Sequence, residues 1–106
     1  MNTMTIDELI NGLTEKGYKV AFDHFTEDVK PPFVVVLDSG TDNQFADNRV
    51  YKVNRDVSIE LYTRQKHESE YMRFEQSLNE LGLCWNCEYH IWIDEEKLMD
   101  SRYGIN

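Results

Sequence analysis

Cys84 and Cys87, in the stretch "CWNC", are the residues whose type and spacing come closest to suggesting a reaction. A C-x-x-C pair exchanges thiol for disulfide when its first sulfur sits at a helix N-terminus, where the dipole lowers the thiol pKa. Here the apolar spacing places a helix before the motif and a strand after it, so the electrostatics stand on the wrong side. The same pair could be half of a zinc site, which would need two more ligands. His24, His67 and His90 are scattered, with no second C-x-x-C and no closely spaced histidine pair. Two cysteines cannot build a disulfide framework either. The spacing therefore predicts two small core side chains near the start of a strand, with no redox or metal role.

Other reactive types are present without a reactive setting. Asp94, Glu95 and Glu96 fall in a predicted turn, and Glu68, Glu70, Glu75 and Glu80 on the outward side of a predicted helix. No carboxylate is paired with an apolar pocket, as acid–base catalysis requires. Ser58 and Ser69 lack a nucleophile elbow, and no glycine-rich phosphate loop occurs. The sequence predicts no catalytic, cofactor-binding or metal-ligating residue.

The charge balance argues by exclusion. Twenty acidic and eleven basic residues give a net charge of −9, with lysines and arginines scattered singly. Affinity for nucleic acid comes from neutralising phosphates with clustered cations, so binding to nucleic acid or to an anionic membrane is not expected. No apolar run approaches the ~20 residues of a membrane span. The start, "MNTMTIDELI", has no basic region followed by an apolar one. The expectation is a soluble protein of the cytoplasm of whatever cell expresses it.

The elements that position these residues follow from periodicity. "TIDE" at 5–8 is a capping box, Ile6, Leu9, Ile10 and Leu13 share a helical face, and Gly17 is a left-handed stop, which predicts a helix over 5–16. Alternation predicts a strand over 18–25, and Pro31 and Pro32 make 26–32 a connection. The β-branched run 33–38 reads as a central strand, and 39–48 as a polar loop carrying one aromatic, Phe45. A long strand over 49–63 and a helix over 67–81, closed by Gly82, come next, then strands over 85–93 and 98–105. The fold class is α+β in a single domain, 1–106, of order α-β-β-β-α-β-β. Two helices pack on one face of a four- to five-stranded, mostly antiparallel sheet.

Apolar side chains then outnumber the places under the helices. Phe33 to Leu37 cannot all face one way, and His90 and Trp92 alternate with Tyr89 and Ile91. If the helices cover Tyr89 and Ile91, His90 and Trp92 face outward, where aromatics mark subunit interfaces.

The segment 46–83, "ADNRVYKVNRDVSIELYTRQKHESEYMRFEQSLNELGL", followed by "YHIWIDEEKLMDSRYGI", resembles small proteins of Gram-positive siphophages and prophages. The shared pattern is A-D-x-x-x-Y (Ala46, Asp47, Tyr51), I-E-L-Y-T (Ile59 to Thr63), a glutamate-rich helix and a strand with E-K-L (Glu96 to Leu98). These proteins look like tail terminators or head–tail joining proteins. The resemblance implies a ring, often of six subunits, between the head connector and the tail-tube proteins. DNA passes through its lumen without sequence-specific binding, and the subunit ends in the virion. It also implies that the loop reaches a neighbour, so the expected interface residues are Asp42, Asn43, Gln44, Phe45 and Asp47, with His90 and Trp92. Two other classes stay open: a thiol-redox enzyme using Cys84 and Cys87, and an acidic binding or inhibitor module that mimics nucleic acid.

Overall fold

A computed structural model of the chain describes residues 4–41, 43–52, 55–64 and 68–105. Helix α1 (Ile6–Glu15) starts at Thr5, whose Oγ1 accepts from the Glu8 amide at 3.1 Å while its hydroxyl donates to the Glu8 carboxylate. Replacing Thr5 with Ala should cost about 1 kcal/mol, read as a lower urea midpoint at unchanged slope. Gly17, at φ 97°, ends the helix and lets the Tyr18 amide reach the Leu13 carbonyl at 3.2 Å. Helix α2 (Glu68–Glu80) stops in the same way at Gly82, with the Leu83 amide on the Leu78 carbonyl.

Among the described residues, seven strands accompany the helices: β1 (Val20–Phe22), β2 (Phe33–Thr41), β3 (Gln44–Ala46), β4 (Arg49–Lys52), β5 (Arg55–Thr63), β6 (Trp85–Ile93) and β7 (Leu98–Ile105). Five form the main sheet in the order β1-β2-β5-β7-β6, antiparallel except between β1 and β2. The expected α+β order therefore holds, with β3 and β4 added as a separate two-stranded ribbon. Both helices cover one sheet face. Leu9 and Leu13 of α1 and Phe74 and Leu78 of α2 share a core with Val36, Ile59 and Tyr103, which lie on adjacent rungs of β2, β5 and β7. Among the described residues, no helix is long and apolar enough to cross a membrane.

Three boundaries differ from the sequence reading. The strand expected over 18–25 is only β1, because Asp23 turns to φ 68° and breaks the ladder. The segment read as a loop over 39–48 is mostly strand: β2 continues to Thr41, and Asp47 and Asn48, both at positive φ, make the two-residue turn of the β3–β4 hairpin. Asn and Asp tolerate that left-handed backbone, which suits the twist of paired strands. The single strand expected over 49–63 is two, with β4 pairing into the ribbon and β5 into the main sheet.

A fourth difference inverts part of a face. Cys87 pairs with Tyr103 and Tyr89 with Arg102, so Glu88 is an extra residue, a β-bulge, in β6. Beyond it the alternation is reversed. His90 lies opposite Ser101 and Trp92 opposite Met99, on the helix side, while Tyr89 and Ile91 occupy the open face. The outward placement expected for His90 and Trp92 is thus overturned. The bulge moved them.

Candidate functional site

Beyond the rung joining Val57 to Ile105, strand β7 ends while β2 and β5 continue as a two-stranded arm to Thr41 and Arg55. The arm carries the β3–β4 ribbon, and the long axis of the molecule reaches 50 Å against 29 and 25 Å. Phe45, 69% exposed, and Val50, 45% exposed, share a rung of that ribbon. Of the residues expected at an interface, Gln44, Phe45 and Asp47 lie exposed on the ribbon and Asn43 beside it, while Asp42 lies outside the described residues.

The face of the sheet away from the helices is part apolar, part ionic. Phe33 stacks on Tyr62 with centroids 4.9 Å apart, and Phe25 meets Phe33 edge-on at 5.5 Å. Phe25, Phe33, Leu37, Tyr62 and Leu98 line an open groove of about 620 Å³. Beside it, neighbouring strands bring together two carboxylates that sequence reading treated as ordinary strand residues. Glu60 of β5 and Asp100 of β7 are each only 8% exposed. Arg102 holds Glu60 at 3.1 Å and Glu88 at 3.6 Å, the Tyr62 hydroxyl donates to Glu60, and the Tyr89 hydroxyl reaches Asp100 at 3.5 Å.

Asp100 Oδ1 is buried and has no hydrogen-bond partner among the described residues. Burial first, then the neighbouring Glu60 charge, pushes its carboxyl up to about 7, against the pull of Tyr89 and Arg102. A proton on the Asp100 carboxyl removes its like-charge contact with Glu60. The pairing was invisible in sequence because forty residues separate the partners. Its one local trace is the placing of single acids within the buried runs "SIELY" and "LMDSRY".

The cysteines are not core residues. Both are exposed, because β6 is the edge of the sheet and the helices cover its start incompletely. The bulge places Cys87 and His90 on the same face, with Cys87 Sγ 3.4 Å from His90 Nε2. In an unbulged strand, residues three apart point to opposite sides. Helix α2 brings a third group to this face. Glu75, expected on the outer side of the helix, instead accepts from the Tyr103 hydroxyl at 2.8 Å, and the Tyr71 ring lies 4.1 Å from that of His90. The Cys87 thiol is raised above its ordinary pKa, first by burial and then by the Glu75 charge. His67 lies outside the described residues.

No protein-family model matches the chain, and no curated protein matches it significantly.

Proposed function

We propose that the chain is a non-catalytic structural subunit of the head–tail junction of a tailed phage or prophage. It joins copies of itself in a ring that meets the head connector and the tail tube, and it passes from the host cytoplasm into the virion. The observation that carries this reading is the arm. An extended ribbon that presents Phe45 and Val50 to solvent adds little to its own core, whereas a neighbouring subunit can bury both. The open face, with Ile91 half exposed beside Tyr89, offers a second contact surface. Strand β6 offers a third, since its outer edge is unpaired among the described residues and the Glu88 bulge guards it against indiscriminate pairing. A net charge of −9 suits a lumen that DNA must traverse without sticking.

The other two classes have less support. A thiol enzyme needs a depressed thiol pKa, and Cys87 has the reverse. A nucleic-acid mimic has no use for the exposed Phe45 and Val50 of the ribbon, which a subunit contact does use.

The test is made in the virus that encodes the chain. Phe45→Ser combined with Val50→Ser, and separately Ile91→Glu, should leave circular dichroism and unfolding of the purified protein unchanged, since all three side chains are exposed. In infected cells, heads and tails should accumulate unjoined. Normal yields of infectious particles from both variants would overturn the reading.

A further inference from the structure

We propose that Glu75, Cys87 and His90 form a binding site for a single divalent transition-metal ion of the zinc class. The inference is independent of any role at the head–tail junction. One ligand atom from each residue lies within 4.8 Å of the other two. The three supply a thiolate, an imidazole and a carboxylate, the donor types that zinc accepts together. The Cys87 Sγ to His90 Nε2 distance of 3.4 Å is close to the ~3.6 Å edge of a tetrahedron built from ordinary Zn–S and Zn–N bonds.

The surroundings fit ligation as well as the three residues do. His90 Nδ1 lies 2.6 Å from the hydroxyl of Ser101, which is fully buried. That contact fixes the ring and leaves Nε2 as the atom facing Cys87. Glu75 Oε2 is held by Tyr103, a buried residue of the same strand as Ser101, which leaves Oε1 for an ion. Metal-bound histidines and carboxylates characteristically carry such outer hydrogen bonds. Cys87 and His90 are exposed on the edge strand, so an ion has a path in and water can take a fourth position. A carboxylate beside a thiol repels the thiolate when nothing lies between them, and a bound cation reverses that repulsion. A metal-free Cys–His hydrogen bond accounts for the 3.4 Å contact and the Tyr103 hydroxyl for the position of Glu75, so the ion is argued from the donor set and its outer hydrogen bonds together.

The test uses the full chain, stripped with chelator under reducing conditions and titrated with Co²⁺ as a spectroscopic stand-in. A thiolate-to-cobalt charge-transfer band should grow to one equivalent, be bleached by Zn²⁺ and be indifferent to excess Mg²⁺. Cys87→Ser should abolish the band and Cys84→Ser should keep it. His90→Gln should weaken binding at least ~100-fold, and Ser101→Ala by about 10- to 100-fold. Circular dichroism checks that each variant folds, and His90→Gln carries the test if Cys87→Ser does not. Absence of a band would overturn the site, as would its loss with Cys84→Ser or undiminished affinity in His90→Gln.

Discussion

Replacing Arg102 with Met should destabilise the fold by about 3 kcal/mol, the largest effect expected of any single change on the open face. The guanidinium lies against Glu60 at 3.1 Å and Glu88 at 3.6 Å, and it donates to Ser58 at 3.3 Å and Ser39 at 3.4 Å. Methionine keeps much of the side-chain volume, so the loss is chiefly electrostatic. It leaves Glu60 buried beside Asp100 with no cation opposite among the described residues. Breaking a buried pair from one side costs about 3–5 kcal/mol, and the partial exposure of Arg102 places this case at the low end. Adding Glu60→Gln to the variant should restore much of the loss, because it removes the stranded charge. Urea unfolding of both proteins checks the pair of outcomes. A loss below about 1 kcal/mol would mean that solvent already screens the cluster.

Asp100→Asn should have the opposite sign. The Asp100 carboxyl has its pKa raised from 3.8 to about 7 by burial and by Glu60. Its stabilising contribution is fully present below the unfolded pKa, where both states hold the proton. As pH rises from about 4 the unfolded chain loses that proton first, and the contribution is gone once the folded pKa near 7 is passed. At pH 8 the wild-type fold therefore carries two buried carboxylates, which face the Tyr62 and Tyr89 hydroxyls and the single cation of Arg102. Asparagine cannot ionise and can still donate to Glu60. The variant should be more stable than wild type at pH 8 by about 2 kcal/mol, within the ~1.4 kcal/mol per unit that the shift allows. The gap should close as pH falls toward 4. Denaturation at a series of pH values measures both curves, and parallel curves would place the shared proton elsewhere.

Legibility in the sequence tracked the range of the determining interaction. Thr5 and Glu8, Gly17 and Gly82 act within a turn or two of themselves, so both helices and the α+β order could be read directly. Asp47 and Asn48 are equally local. Their two-residue turn was hidden because the polar stretch around them looks like a loop until β3 and β4 pair. The Glu60–Asp100 contact depends on which strands become neighbours, and periodicity does not carry that information. The same holds for Glu75, whose angle on α2 decides whether it meets Tyr103 or solvent. The Glu88 bulge is a backbone event. Strict alternation through "WNCEYHIWI" concealed it and sent His90 and Trp92 to the wrong side.

That single extra residue behaves like a frameshift confined to half a strand. Upstream of Glu88, Trp85 and Cys87 are addressed to the helices, and downstream the odd-numbered Tyr89, Ile91 and Ile93 are addressed away from them, although β7 keeps its own phase throughout. The Glu88 carboxylate lies over Gly104, the partner of Asn86, where an added Cβ would stand 2.8 Å from it. A chain without residue 88 would pair regularly and keep every address, because Tyr89 would follow Cys87 directly and still stand opposite Arg102. A chain that kept residue 88 but paired it regularly would instead turn Tyr89 and Ile91 under the helices, bring His90 and Trp92 to the open face and part the imidazole from Cys87. A one-residue gap at this point between otherwise similar chains would therefore mark the loss of the bulge and leave the surface as it is.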